Sequence, residues 1–131
     1  MAKISGPLLD RIDLHIEVPA VAYKELRAKQ GGITSAEMRE RVVSARAIQM
    51  KRGFCNSQIP VTQMRTVCVL DDAGECTLEM AVRRMGLSAR AHDRILKVAR
   101  TIADLEGKEH VSAKNVAEAV QYRSLDRSYW A

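Results

Sequence analysis

Two groups of arginines occupy the positions in this chain that suit phosphate chemistry best. Arg11 lies between Asp10 and Asp13, directly before a segment in which apolar and polar residues alternate. A guanidinium at the edge of a sheet can reach a phosphate held by a neighbouring subunit and stabilise the charge on a transferring phosphoryl group. The alternative is a surface ion pair between Arg11 and Asp10 or Asp13, which stabilises a protein little. By itself the pattern favours the ion pair.

The second group, Arg90, Arg94 and Lys97, lies at the start of a long predicted helix. At about 100° per residue the three side chains share one stripe of that helix, which can present two or three cations to a phosphate. Arg90 falls in the first turn, where backbone N–H groups also favour anions. The default alternative is a solvated cationic face, partly compensated by Asp93 and Asp104.

The sequence contains none of the motifs of a self-contained enzyme site. Its glycines match no GxxxxGK[ST] loop, and there is no HExxH, GxSxG or zinc-ligand spacing, so no metal site is expected. His15 is predicted to lie on the polar face of a strand, and His92 and His110 at the surface. The odd number of cysteines (Cys55, Cys68 and Cys76) without a CxxC pair indicates free thiols in a reducing, cytoplasmic setting.

The bulk composition is that of one soluble domain with an aliphatic core. The chain has 131 residues, of which 47% are hydrophobic, 28% charged and only 4% aromatic. No apolar run approaches the roughly 20 residues of a membrane span, and no signal peptide is present, so no membrane partner is expected. The net charge of +5 permits contact with nucleic acid without requiring it.

A single β-strand is predicted near the start of the chain. Apolar residues occupy every second position from Ile12 to Val18, and Pro19 ends the run. No later segment resembles a partner strand, and one strand cannot satisfy its own backbone polar groups. The sequence therefore predicts an orphan strand that belongs to the sheet of a larger α/β protein.

Helices are predicted for most of the remaining chain. Their N-caps are Thr34 (with Glu37 in a capping box), Asp72, Ser88 and Ser112. The predicted helices cover residues 21–28, 34–51, 64–69, 72–85, 89–106 and 112–122. The buried face of the longest one is expected to comprise Ala91, Ile95, Val98, Ala99, Ile102 and Leu105.

These elements predict a mainly α fold, a helical bundle preceded by one strand from an α/β core. We divide the chain into a strand segment (1–19), a helical domain (20–123) and a loose tail (124–131).

Three segments resemble magnesium-chelatase-related AAA+ ATPases of the bacterial ComM (competence protein) type. They are Ile4-Ser5-Gly6-Pro7-Leu8-Leu9-Asp10-Arg11-Ile12-Asp13-Leu14-His15, Leu87–Ala91 together with Arg94–Leu105, and the terminal Val116–Arg127. The first two are long and specific, whereas residues 21–77 match more loosely. The resemblance implies the C-terminal part of a ring-forming ATPase, in which the last core strand precedes a helical lid domain.

The resemblance also implies roles for the arginines. Arg11 falls on the arginine-finger position, which contacts ATP bound to the adjacent subunit. Arg90 falls on the sensor-2 position, which contacts the γ-phosphate from the lid, and Arg94 is expected beside it in the nucleotide site. ATP and Mg²⁺ would be cofactors of the full-length parent, and none is expected to bind this part alone, which should be inactive.

Three functions follow as expectations. The first is a cytoplasmic AAA+ motor, in a ring expected to be hexameric, that acts on DNA in recombination or natural transformation by branch migration. The second is a magnesium chelatase subunit that drives metal insertion into a porphyrin. The third is a stand-alone helical module that binds DNA or another partner and has no link to ATP.

Overall fold

The computed structural model describes residues 5–28 and 31–123. In these ranges the chain forms seven α-helices and two short 3-10 turns. The helices are α1 (Gly6–Arg11), α2 (Tyr23–Leu26), α3 (Ser35–Arg52), α4 (Met64–Val67), α5 (Asp72–Met85), α6 (Ala89–Leu105) and α7 (Ala113–Gln121), and the 3-10 turns are Asn56–Gln58 and Val61–Gln63.

The mainly helical class is confirmed, and α6 lies at the centre of the bundle. It contacts α1, α3 and α7, while α5 packs against α7. The core is aliphatic, as predicted. Burial of its Ile, Leu, Val, Ala and Met side chains removes apolar surface from water and so stabilises the fold. Its buried members are Ile59, Met64, Cys68, Leu78, Ile95, Leu96, Ala99, Ile102, Ala103, Val111, Val116 and Ala119.

The ends of the main helices lie close to their predicted positions. Thr34 and Glu37 form the capping box of α3, and the side chains of Ser88 and Ser112 cap α6 and α7. The cap of α5 is Asp71 and not the predicted Asp72, because the Asp71 carboxylate accepts a hydrogen bond of 2.6 Å from the backbone N–H of Gly74. These caps satisfy backbone N–H groups that have no partner within the helix.

The strand predicted over residues 12–18 does not form within the described part of the chain. Residues 12–22 adopt neither helix nor strand, and in the described ranges the only β-type pairing is one parallel bridge between Leu70 and Val111. A strand is defined by hydrogen bonds to a neighbour. Without a neighbouring strand in the described part of the chain, the alternating pattern has nothing to pair with.

The burial of side chains in this segment also differs from the prediction. His15, which was expected on the polar face, is only 5% exposed and lies against the bundle. Its backbone N–H donates to the Tyr122 carbonyl, and its Nε2 donates to the Leu9 carbonyl at 3.1 Å. The apolar Ile16 and Val18 are 64% and 81% exposed. Of residues 12–18 only His15 is buried, so burial does not follow the alternating pattern. The apolar Leu14 and Ile16 border a cavity that residues of α6 also line.

A buried ionic cluster joins α3 to α6. Asp104, which was expected at a solvated face, is 1% exposed and accepts hydrogen bonds from Arg52, Arg100 and Asn56. Burial by itself raises the pKa of the Asp104 carboxyl, but the hydrogen bonds from Arg52 and Asn56 and the charge of Arg100 outweigh it and hold this pKa below its ordinary value. Next to Asp104 in the sequence, Leu105 is 38% exposed and not buried as predicted.

Arg100 extends the cluster to the loop before α7. It is 1% exposed, and its guanidinium donates to the carbonyls of Lys108 and Glu109 at 2.6 and 2.7 Å. This buried charge is thus paired with a carboxylate and with backbone carbonyls, which offsets much of the cost of its desolvation.

The three cysteines are free, as predicted, and differ in exposure. Cys76 is exposed, Cys55 is half-buried and Cys68 lies in the core. Burial raises the pKa of the Cys68 thiol to about 11, so that it stays protonated at neutral pH. No helix among residues 5–28 and 31–123 is long and apolar enough to cross a membrane. The predicted tail, 124–131, lies outside the described residues.

Candidate functional site

The predicted stripe of cations lines a single cavity. Arg90, Arg94 and Lys97 project from consecutive turns of α6 into a cavity of about 970 Å³. Ser88 begins this helix by accepting a hydrogen bond of 3.1 Å from the Ala91 backbone N–H. The cavity is closed by residues of the 13–16 segment, the Asn56–Gln58 turn and α7. The structure therefore brings together the two sequence-predicted residues of the lid, Arg90 and Arg94.

Both cationic and acidic side chains line this cavity. Four cationic and four acidic side chains line it: Arg41, Arg90, Arg94, Lys97, Asp13, Asp93, Glu106 and Glu118. Arg94 forms an ion pair with Asp13, and Lys97 donates to the Ser57 carbonyl at 3.3 Å. Arg90 is exposed and makes no side-chain hydrogen bond or ion pair within the described part of the chain. It is therefore available to an incoming anion.

One nitrogen of the Arg94 guanidinium donates no hydrogen bond within the described residues. Its Nε is buried and has no hydrogen-bond partner among the described residues, although its terminal nitrogen is occupied by Asp13. A buried donor without an acceptor costs free energy that an anionic ligand in the cavity would recover. This Nε and the exposed Arg90 guanidinium are donors that the cavity could offer to an anion.

Arg11 lies outside this cavity. It is the last residue of α1, whose N-cap is Ser5, and it is exposed. It does not line the cavity that contains Arg90. The structure therefore does not unite the three sequence-predicted residues in one site.

The surface ion pair of Arg11 with Asp10 or Asp13 does not form. Asp10 accepts a hydrogen bond of 3.0 Å from the Ser88 hydroxyl, and Asp13 pairs with Arg94. Both acidic neighbours are turned toward the bundle. Within residues 5–28 and 31–123 the Arg11 guanidinium has no hydrogen-bond or ion-pair partner.

Local patterns could not predict the contacts of three residues near Arg11, although all three lie in segments that carry the family resemblance. Asp10 and Asp13 look like ordinary partners of Arg11, yet they join α1 and the following segment to the start of α6. Arg123, directly after α7, reaches back to the carbonyls of Leu9 and Ile12. Such contacts span about a hundred residues and leave no local pattern. In the described ranges, no three His, Cys, Asp or Glu side chains come together to hold a metal ion.

Two family models match this chain. Residues 32–123, which include α3 to α7, match the family described as magnesium chelatase, subunit ChlI C-terminal. The chain belongs to this family. Residues 1–26, which include Arg11, match the family described as magnesium chelatase, subunit ChlI. The first of these matches begins at residue 32, and the second ends at residue 26.

Curated relatives extend over nearly the whole chain. The competence protein ComM of Haemophilus influenzae is 44% identical over 127 residues, which cover 95% of this chain and 25% of that protein. The uncharacterised protein YifB of Escherichia coli is 39% identical over the same shares of the two chains. An uncharacterised Mycobacterium tuberculosis protein is 34% identical over 94% of this chain and 25% of its own length. This magnesium-chelatase family chain thus spans about a quarter of the length of its relatives.

Proposed function

We propose that this chain is the C-terminal part of a ring-forming AAA+ ATPase that acts on DNA, and that it supplies two arginines to two different ATP sites. The observation that carries the proposal is the state of Arg11 and Arg90. Both guanidiniums are exposed and have no partner in the described residues, whereas the acidic groups beside Arg11 are held by other side chains. Two exposed cations, of which Arg90 lines the cavity and Arg11 does not, suit two separate phosphate groups.

Arg90 is proposed to act as the sensor-2 residue on ATP bound by the same subunit. It stands in the first turn of α6, where unpaired backbone N–H groups and the helix dipole also favour an anion. Arg94 and Lys97 add positive charge to the same cavity. The loop that cradles the phosphates with Mg²⁺ is assigned to another part of the parent protein, and it supplies the site at which phosphoryl transfer takes place.

Arg11 is proposed to act as the arginine finger toward a neighbouring subunit. An arginine of this kind stabilises the negative charge that develops on the transferring phosphoryl group. Its place outside the Arg90 cavity favours action in trans, because a residue that serves another subunit has to face away from the local site. A ring of copies, which we expect to be hexameric, would bring each Arg11 to the next ATP.

The apolar side of the 12–18 segment supports the assignment to a larger protein. Leu14, Ile16 and Val18 are 46%, 64% and 81% exposed, a pattern typical of a strand whose sheet lies elsewhere. In the proposed parent this segment is the last strand of the ATPase core, and the helices after it form the lid.

DNA is the proposed substrate, with the ring working in the cytoplasm in recombination of incoming DNA. Support comes from the name of the relative ComM, a competence protein, and from the net charge of +5. The second candidate is a magnesium chelatase subunit, which the family description favours. A stand-alone DNA-binding module remains the third interpretation.

ATP hydrolysis by the full-length protein distinguishes these functions. We expect branched or single-stranded DNA to raise the hydrolysis rate several-fold at low salt, and the increase to shrink as salt screens the phosphate contacts. Hydrolysis that responds to a metal-free porphyrin and a partner subunit, and not to DNA, would support the chelatase. The module interpretation requires the 131-residue chain to bind DNA unaided.

Replacing Arg90 with alanine tests the sensor-2 assignment. We expect Arg90→Ala to lower the turnover of the full-length ATPase by about 10²-fold, the usual effect of removing one charge-stabilising donor. Arg84→Ala is the matched control, because Arg84 is an exposed cation on α5 outside the cavity. Steady-state phosphate release measures both variants. Equal turnover in the two variants would remove Arg90 from the ATP site.

A further inference from the structure

Arg123 is a buried arginine with an unusual set of partners. It is 1% exposed and follows α7 directly. Its guanidinium donates to the Ile12 carbonyl and, at 3.4 Å, to the Leu9 carbonyl, and it lies 3.9 Å from the Asp10 carboxylate. A buried charge is costly to desolvate unless it is paired and hydrogen-bonded. The partners of Arg123 therefore identify the part of the fold that it stabilises.

Those partners bracket Arg11 on both sides. Leu9 and Ile12 are two residues before and one residue after it, and Asp10 is its immediate neighbour. The Leu9 carbonyl also accepts from the Ile12 backbone N–H at 3.1 Å, which closes the last turn of α1. The Arg123 cation thus lies at the C-terminal end of α1, where the helix dipole favours positive charge and the carbonyls lack the i+4 N–H partners of a continuing helix.

α1 needs such support because it is short. It has six residues, and a helix of this length is not stable by its own hydrogen bonds. Its contacts to the bundle are the buried Leu9 side chain, the Ser88–Asp10 hydrogen bond and the carbonyls that receive Arg123. The orientation of the Arg11 side chain depends on these contacts, because they hold α1 in place on the bundle.

We propose that Arg123 is a positioning residue for Arg11: it fixes the C-terminal turn of α1 so that Arg11 points at the neighbouring subunit's phosphate. The inference rests on the proposed function of Arg11 and adds a residue of the lid to the ATP site of the next subunit. It joins the lid of one subunit, through α7, to catalysis in its neighbour.

A planar guanidinium suits this task better than an ammonium group. Two of its nitrogens reach two carbonyls that are three residues apart in the sequence, which fixes the turn in one orientation. Lysine at this position keeps the charge but offers one nitrogen. Arg123→Lys is therefore expected to retain the fold and to loosen α1, whereas Arg123→Gln removes the charge as well.

The test uses mixed rings of the full-length protein. One type of subunit, the finger donor, has the lysine of its phosphate-binding loop replaced and keeps Arg11. The other type, the pocket donor, carries Arg11→Ala and has an intact ATP pocket. Each type alone is expected to be inactive. In the mixture, hydrolysis recovers wherever a pocket donor faces a finger donor.

Arg123→Lys and Arg123→Gln are then placed in one type of subunit at a time. In the finger donor we expect the recovered rate to fall by roughly 100-fold with glutamine, the order of loss caused by misplacing a catalytic group by about 1 Å, and by less with lysine. In the pocket donor, whose residue 11 is already alanine, both variants are expected to leave the recovered rate unchanged.

The outcomes separate this inference from the function on which it rests. If the unmodified mixture recovers no hydrolysis, the trans role of Arg11 fails, and Arg123 loses its proposed purpose with it. If the mixture recovers but Arg123→Gln has the same effect in both types of subunit, including through misfolding, Arg11 keeps its role and Arg123 is only a structural residue. A loss confined to the finger donor supports the proposal.

Discussion

Arg11→Ala in the full-length protein is expected to lower ATP turnover by about 10³-fold or more, the effect typical of losing an arginine finger. The affinity of the same subunit for ATP should stay unchanged, because Arg11 lies outside the cavity that contains Arg90 and is proposed to face the next subunit. Phosphate release measures turnover, and a fluorescent nucleotide measures binding. The expected signature is therefore a loss of turnover with intact binding.

A matched exposed cation controls for the change in net charge. Arg27, at the end of α2, is exposed, and Arg27→Ala should leave turnover unchanged. Arg11→Lys is expected to restore only part of the activity, since an ammonium group cannot contact two phosphate oxygens as a planar guanidinium does. Near-normal hydrolysis by Arg11→Ala would contradict the assignment.

Asp104→Asn is expected to cost about 3–5 kcal/mol of unfolding free energy, because it leaves the buried cation Arg100 and the half-buried Arg52 without their shared counter-charge. Urea denaturation followed by circular dichroism measures the loss. Glu79→Gln is the control: it breaks an exposed pair with Arg83 within one helix, which contributes about 0.3–0.5 kcal/mol at most. Equal stability of the two variants would show that the cluster does not stabilise the fold.

The contribution of Asp104 to the free energy of unfolding should decrease as the pH falls. Its pKa is lower in the folded chain than in the unfolded chain, where a free aspartate titrates near about 3.9. Its stabilising contribution is therefore complete above the unfolded pKa and is lost as the pH falls through the folded pKa. The difference in stability between the wild type and Asp104→Asn should be constant near neutral pH and shrink below about pH 4.

The features that the sequence predicted well depend on nearby residues. A cap such as Ser112 acts within three residues, and the αL conformation of Gly86, at φ 60°, ends α5 within the next one. The apolar stripe of α6 and the cationic stripe beside it follow from helical geometry alone. Arg90, Arg94 and Lys97 follow α6 at the predicted spacing, and the structure shows that all three line one cavity.

The features that the sequence did not predict depend on residues far along the chain. His15 was assigned to a polar face from its neighbours, but its burial is decided by Leu9 and by Tyr122, which lies at the end of α7. Asp104 follows the helical pattern of a surface residue until Arg52, 52 positions earlier, is brought beside it. A strand likewise needs a partner, which is why residues 12–18 form none in the described part of the chain.

The three thiols differ in exposure, so a thiol-reactive label can distinguish Cys76 from the others. Cys76 stands exposed on α5, whereas Cys68 is held protonated in the core. A maleimide dye at neutral pH should therefore attach first to Cys76, without engineered cysteines. Because α5 packs on α7, a fluorophore at Cys76 lies beside the helix that precedes Arg123. In the proposed ATPase its signal is expected to change if these two helices move during ATP hydrolysis.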